Sequence, residues 1–103
     1  MKYVYVCLLL LTSSPVFSDV IEYFKPMVND NRLDWCSSWG KDCGEIVALK
    51  WCIKHNYSKP IYWEADNGIG RETPTTMLDS GEICKKSSCS GFRVIVCYRE
   101  FKH

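Results

Sequence analysis

The sequence predicts an α+β fold in which one helix, at about residues 43–55, packs on a small, mostly antiparallel sheet stapled by three disulfides. One segment places apolar residues at helical spacing. Two later segments alternate with a period of two, which is typical of half-buried strands. An even number of cysteines follows the first 18 residues, and in a short exported chain such a number indicates a disulfide framework.

Residues 1–18 have the pattern of a secretory signal peptide. Lys2 precedes an apolar run at residues 3–11, and Val16 and Ser18 occupy the positions before a cleavage site. The run is shorter than the roughly 20 apolar residues that a transmembrane helix needs. We therefore expect cleavage after Ser18, no stable membrane anchor, and a secreted protein (periplasmic if the source is bacterial).

The charge balance argues against a nucleic-acid partner. Removal of Lys2 with the signal peptide leaves 12 basic residues, which equals the 12 acidic residues. A nucleic-acid-binding domain usually carries a basic patch or stripe. The pair Lys85-Lys86 is the longest basic run, and we expect it to lie in a solvated loop.

The cysteines of the exported chain are predicted to form disulfides; they are Cys36, Cys43, Cys52, Cys84, Cys89 and Cys97. Zinc sites favour closely paired cysteines with histidine nearby. Only the spacing of Cys84 and Cys89 approaches that pattern, and no second pair faces it. The chain also lacks a C-x-x-C redox motif. We therefore expect no metal and no cofactor.

The pairing of these cysteines stays open at this point, because six cysteines can pair in fifteen ways. Proximity in the chain favours Cys36–Cys43 and Cys84–Cys89. Those two local bridges would leave Cys52–Cys97 to join distant parts of the domain.

Residues 19–31 are predicted to form an N-terminal arm, and residues 32–103 the stapled domain. Pro26 and several asparagine and aspartate residues interrupt any regular pattern in the arm. We expect the arm to be extended, with Ile21 and Tyr23 packing on the domain.

The predicted helix begins at a capping box, in which Asp42 accepts from a first-turn N–H group and Glu45 reaches back. Asn56 suits the left-handed turn that ends a helix. The expected buried face comprises Ile46, Ala48, Leu49, Cys52 and Ile53.

The strand predictions come from alternation and from turn residues. Residues 61–66 are predicted to form a half-buried strand. Residues 75–78 and 82–84 are predicted to form a hairpin with Gly81 in the left-handed conformation. Residues 92–101 give the strongest strand pattern, with Phe92, Val94, Val96 and Tyr98 on one face and Ile95 and Cys97 on the other.

The aromatic residues are the best candidates for ligand contacts. Trp51 and Trp63 fall at core-facing positions, whereas other aromatic residues fall in predicted loops or on the outer strand face. Such side chains could stack on sugars or anchor a protein partner. For the two tryptophans beside cysteines, shielding of the disulfides is an equal alternative. The candidate ligand-binding residues are Trp35, Trp39, Tyr57 and Tyr62.

No catalytic residue is expected, and the chain is predicted not to be an enzyme. His55 would lie at the helix C-terminus, and His103 is the last residue. Glu64 and Asp66 would share one strand face, but a hydrolase needs two carboxyl groups in unlike environments. A solvated strand face explains these two carboxylates better.

Residues 32–97 resemble a group of small exported six-cysteine domains of unknown function from bacteria and plants. The resemblance depends on the motifs RLDWC, WGKDCG, SGEIC and CSGF, and it includes all six cysteines. The chain departs from the group after Gly44, where the group tends to have Pro-Ala-Ala and residues 45–48 here are Glu-Ile-Val-Ala, and at Asn56, where the group tends to have glycine. The resemblance implies the fold and no activity.

Together these patterns predict a small secreted binding or interaction module, whose partner is an extracellular glycan or protein. The alternative is a secreted effector, meaning an inhibitor or an antimicrobial or toxin-like protein that acts on a foreign protein. Lys85 and Lys86, exposed in a stapled loop, would suit that second class.

Overall fold

The computed structural model describes residues 18–100, which form one α-helix and nine β-strands. Residues 1–17 of the predicted signal peptide and residues 101–103 lie outside the described part. The elements are β1 (Ser18–Phe24), β2 (Met27–Val28), β3 (Asn31–Leu33), β4 (Cys36–Ser38), β5 (Lys41–Cys43), α1 (Glu45–Lys54), β6 (Lys59–Asp66), β7 (Thr75–Thr76), β8 (Ile83–Cys84) and β9 (Gly91–Glu100). The predicted disulfide-stapled α+β fold is confirmed.

Strand β9 is the centre of a three-stranded antiparallel sheet, with β1 on one side and β6 on the other. The β1 register runs from Ser18 opposite Glu100 to Phe24 opposite Val94. The first part of the predicted arm is therefore an edge strand of the main sheet. Its residue Ile21 packs against the buried core, as expected.

Two smaller sheets complete the fold. Strands β2, β3, β7 and β8 form the first in that order, and its one parallel pair is β3 with β7. Strands β7 and β8 form the predicted hairpin, and Gly81 in its turn has a φ of 75°. Strands β4 and β5 form the second small sheet, a separate two-stranded hairpin.

A β-bulge in β9 corrects the predicted faces of this strand. In the pairing with β6, Val94 lies opposite Glu64 and Phe92 opposite Ala65, so Arg93 is an extra residue. The extra residue turns Phe92 to the core face, where it is fully buried in one cluster with Ile95. The prediction that Phe92 shares a face with Val94 is wrong, because the alternation of residue types along one strand does not reveal a bulge.

The helix begins differently from the prediction. Gly44, with a φ of 70°, is the N-cap residue, and no side chain caps the first turn. Asp42 lies in β5 with a φ of 52°, so the expected capping box is wrong. A Cβ atom on Gly44 would lie 3.1 Å from the ring of Trp35, so tight packing favours glycine at the cap. Asn56 ends the helix in the left-handed conformation, as predicted.

The buried face of α1 is rotated from the predicted one. Ala48 and Cys52 point inward as expected, and so does Trp51, which was predicted to face the core; Val47 is the further inward residue. The Trp51 ring packs edge to face on Tyr23, at 5.4 Å between centroids. Burial of this large ring on β1 turns three predicted core residues toward solvent; they are Ile46, Leu49 and Ile53.

The disulfides pair as proximity in the chain favours: Cys36–Cys43, Cys52–Cys97 and Cys84–Cys89. The Cys52–Cys97 bridge lies in the main core and joins α1 to β9. The Cys84–Cys89 bridge forms a second, separate core with Met77. The hairpin bridge, Cys36–Cys43, links residues directly opposite each other in β4 and β5.

A buried arginine joins the main sheet to the four-stranded sheet. Arg32 in β3 donates to the carboxylate of Asp66 in β6 at 2.9 Å and to the carbonyl oxygen of Phe92 in β9 at 2.7 Å. The partners lie in two neighbouring strands of the main sheet. This ion pair therefore fixes the position of β3, which leads directly into the candidate site.

The Cys52–Cys97 disulfide joins residues that are 45 positions apart in the chain. Its removal, by Cys52→Ala with Cys97→Ala, is expected to lower the free energy of unfolding by about 4 kcal/mol, because the unfolded chain gains the conformational entropy that this long closed loop had removed. The Cys36–Cys43 disulfide joins residues only 7 positions apart, so its removal is expected to lower the free energy of unfolding by about 2 kcal/mol. Denaturant unfolding followed by tryptophan fluorescence measures both losses. Equal losses in the two double variants would contradict the greater effect of the long bridge.

Candidate functional site

Trp39 is held at the tip of the β4–β5 hairpin. It forms the two-residue connection with Gly40, which has a φ of 65°. The Cys36–Cys43 disulfide closes the base of the hairpin. The indole is nevertheless 49% exposed, so a large apolar ring is presented to solvent on a covalently closed support.

Trp35 lies deeper, on the way into the same hairpin. Its ring packs on Phe92 with centroids 4.7 Å apart, and its backbone N–H donates to the Ser90 carbonyl at 2.8 Å. Its carbonyl oxygen accepts from the Gly44 N–H, also at 2.8 Å. Trp35 is thus fixed between the central strand and the start of the helix.

The loop closed by Cys84–Cys89 faces the tryptophans. Gly70 allows this loop to pack closely, because an added Cβ would lie 2.5 Å from the Lys86 carbonyl oxygen and 2.3 Å from the Cys89 Cβ. The backbone N–H of Gly70 donates to the Cys89 carbonyl at 3.2 Å. The Lys86 ammonium reaches across to within 5.9 Å of the Trp39 ring centre.

These elements enclose a cavity of about 190 Å³. Its lining combines aromatic, sulfur, hydroxyl and carboxylate groups, contributed by Asp34, Trp35, Cys36, Trp39, Gly40, Met77, Cys84, Ser88, Cys89 and Ser90. A few polar groups among apolar ones are typical of the lining of a ligand site. It could hold one ring-sized group between the hairpin and the stapled loop.

The one carboxylate in the lining belongs to Asp34, which is buried. It accepts from the backbone N–H of Cys36 at 2.8 Å and from the hydroxyl of Thr75. Carboxylate oxygens have further lone pairs. Asp34 is therefore held rigidly while keeping capacity to accept a hydrogen bond from a ligand.

The four candidate ligand-binding residues do not form one site. Trp35 and Trp39 line the cavity, whereas Tyr57 and Tyr62 lie outside the lining. Tyr57 packs against the main core, with the Arg99 guanidinium 4.5 Å from its ring centre. Tyr62 lies in β6, where its hydroxyl donates to Glu64, and that bond raises the pKa of Tyr62 above its ordinary value.

Most of the other lining residues were missed by sequence reasoning. Asp34 stands next to Trp35 in the chain, and this adjacency is the one signal that could have identified it. Met77 and Ser90 reach the cavity only through the β3–β7 pairing and the turn into β9. Nothing in their local sequence marks them, because their role comes from tertiary packing.

His55, Glu64 and Asp66 each make contacts within the fold. The Nδ1 atom of His55 is 2.8 Å from the Trp51 carbonyl oxygen, and its ring packs on the Trp51 indole. Glu64 and Asp66 have separate partners, Tyr62 for the first and Arg32 for the second. Within residues 18–100 no cluster of three or more potential metal ligands occurs, and no helix there is long and apolar enough to span a membrane.

No protein-family model, curated protein or solved structure matches this chain. The resemblance to exported six-cysteine domains therefore stays a prediction. Any function has to be inferred from the cavity and the surfaces themselves.

Gly70→Ala is expected to lower the free energy of unfolding by about 1–3 kcal/mol, the range for overpacking, and to shift the indole N–H resonance of Trp39. The added methyl would displace the stapled loop that faces this ring. Gly81→Ala is the control, because its Cβ meets nothing within 4 Å and carries only the left-handed backbone cost. A Trp39 resonance that shifts in neither variant, or by the same amount in both, would contradict the inference that the stapled loop forms the cavity wall facing Trp39.

Proposed function

We propose that this protein is a secreted binding module that holds a sugar residue of an extracellular glycan against Trp39. The observation that carries the proposal is the position of this half-exposed indole on a cavity that also contains a carboxylate and hydroxyl groups. An aromatic face packs well on the apolar face of a sugar ring. Carboxylate and hydroxyl oxygens nearby suit its hydroxyl groups.

The size of the cavity supports a single ring rather than a larger ligand. Its volume of about 190 Å³ is below the range of about 300–1,000 Å³ that is common for drug-sized ligands. A longer glycan would place one residue inside and extend over the exposed part of Trp39. The Lys86 ammonium beside that ring would then lie next to the adjoining sugar residue.

Binding without catalysis is part of the proposal. Glycoside hydrolysis commonly uses two carboxyl groups on opposite sides of the scissile bond. Among the residues that line the cavity, Asp34 is the one carboxylate, and both of its oxygens already accept structural hydrogen bonds. This arrangement supports recognition of a ligand.

Three disulfides support an extracellular location for the partner, because disulfides persist in oxidising compartments. The predicted signal peptide agrees with that location. A glycan on a cell surface or in an extracellular matrix would satisfy both features.

A second candidate function is inhibition of a foreign protein by the stapled loop. Residues 85–88 are exposed between Cys84 and Cys89, which favours contact with a partner. The loop is a tight turn, in which the Cys89 N–H donates to the Lys86 carbonyl at 3.0 Å. The Lys86 side chain lies over Trp39, so Lys85 is the residue that would enter a partner's pocket.

Trp39→Ala is expected to abolish binding to the glycans that wild-type protein captures on a glycan array, because the stacking surface is lost. Tyr62→Ala is a matched control, since Tyr62 is also 49% exposed but lies outside the cavity lining. Calorimetric titration with the soluble glycan measures affinity per site. A loss of at least tenfold is expected for Trp39→Ala and less than twofold for Tyr62→Ala, with circular dichroism confirming both folds.

Failure of the wild type to bind any glycan, or equal affinity of Trp39→Ala and wild type, would refute the glycan proposal. Inhibition of a protease panel that disappears in Lys85→Ala would instead favour the second candidate function.

A further inference from the structure

The main sheet has one face covered by the helix and another that points away from it. This second side, here called the outer face, carries alternate residues of three strands. Strand β1 contributes Val20, Glu22 and Phe24; strand β9 contributes Val94, Val96 and Tyr98; and strand β6 contributes Lys59, Tyr62 and Glu64. Phe24 is 68% exposed, Val20 54% and Tyr62 49%, whereas Val94 and Val96 between them are buried. An apolar patch open to water on a small protein commonly marks an interaction surface.

The strand register arranges the outer face in three rows across the sheet. The first row is Phe24, Val94 and Glu64; the second is Glu22, Val96 and Tyr62; and the third is Val20, Tyr98 and Lys59. Glu64 therefore occupies the β6 end of the first row, where the exposed Arg93 guanidinium lies 3.8 Å from its carboxylate, and Lys59 occupies the β6 end of the third row. The rest of both rows is apolar or aromatic.

We propose that the outer face binds a second copy of this chain, with the two sheets stacked and their strands antiparallel. A two-fold axis perpendicular to the strands, through the middle row, places the first row of one copy on the third row of the other. Phe24 then meets Val20 of the second copy, and Glu64 meets Lys59 of the second copy. Val96 and Tyr62 each meet their own equivalents, as an isologous interface requires.

Charge and apolar matching select this arrangement over the other stacked one. A two-fold axis parallel to the strands would place each row on itself in reverse, so that Phe24 would face Glu64 and Val20 would face Lys59. Apolar side chains would then desolvate Lys59 and the Glu64–Arg93 pair without adding a new partner for either. The perpendicular axis instead pairs Glu64 with Lys59 twice. It also brings the two Glu22 side chains together. Because β1 and β6 are both edge strands, water and salt screen this repulsion and the two Glu64–Lys59 attractions alike, and two attractions outweigh one repulsion.

The area of the outer face sets the strength of the dimer. Three strands about 4.8 Å apart, with the five residues from Val20 to Phe24 at about 3.4 Å each, give a face of about 14 Å by about 17 Å, or about 240 Å². This area is well below the roughly 800 Å² per partner of a standard stable interface. We therefore expect a weak dimer that forms reversibly as the concentration rises. Stacked sheets at about 10 Å separation would bury Phe24 and Tyr62, the most exposed aromatic residues of this face.

Sedimentation of the exported, disulfide-bonded protein between about 10 µM and about 1 mM tests the dimer in the range of a weak interface. Phe24→Glu is expected to weaken self-association at least tenfold, because it buries an unpaired charge. Ile53→Glu is the matched control, since Ile53 is 56% exposed on the opposite, helical layer, and it is expected to change association less than twofold. Far-ultraviolet circular dichroism confirms that each variant is folded.

Charge reversal tests the orientation of the two copies. Glu64→Lys is expected to weaken the dimer, and Glu64→Lys combined with Lys59→Glu is expected to restore it to within about twofold of wild type. A double variant as weak as the single one would overturn the antiparallel arrangement. The dimer proposal would be overturned by a wild type that stays monomeric at the highest concentration. It would also be overturned if Ile53→Glu weakened self-association as much as Phe24→Glu does. In either case the outer face would be assigned to a different protein.

Discussion

The Cys52–Cys97 disulfide is the constraint on which the two-layer arrangement depends. It joins the last turn of α1 to the central strand β9, and both cysteines are fully buried in the main core. A domain of this length buries a smaller share of its surface than larger domains do. A covalent link across the two layers therefore contributes a large part of the free energy that keeps the helix on the sheet.

The same disulfide also determines which residues of the helix face solvent. Once Cys52 points to β9, the helix can rotate only a little, and the Trp51 ring fills the space beside Tyr23. Ile46 and Ile53 then face solvent, although their spacing is that of a buried stripe. The single helix within residues 18–100 covers one side of the sheet, and the outer side keeps apolar residues such as Phe24 exposed. Small size and covalent stapling together leave these apolar side chains exposed.

Much of the fold could be predicted from the sequence because its signals are local. Alternation identified β6 and β9, Gly81 and Asn56 marked turns with positive φ, and proximity gave the disulfide pairs. The errors concern features set by tertiary contacts. The helix face depends on Trp51 packing, and the Phe92 face depends on a bulge whose extra residue becomes visible only against β6.

The candidate site divides in the same way. Trp35 and Trp39 stand out in the sequence as aromatic residues beside cysteines, and both line the cavity. Met77 and Ser90 come from distant segments, and their place there follows from strand pairing that local sequence cannot show. Aromatic residues are conspicuous wherever they occur, so Tyr57 and Tyr62 were grouped with the tryptophans although the fold separates them.

The two short disulfides give the cavity a rigidity that the main core does not have to supply. Cys36–Cys43 closes the hairpin that carries Trp39, and Cys84–Cys89 forms its own small core with Met77. Both walls are thus ordered before a ligand arrives, so binding need not bear the entropy cost of ordering a loop. Under the proposed function, this preorganisation would favour binding of a small ring in a cavity of about 190 Å³, because the few contacts of so small a site would not also have to offset the entropy cost of ordering its walls.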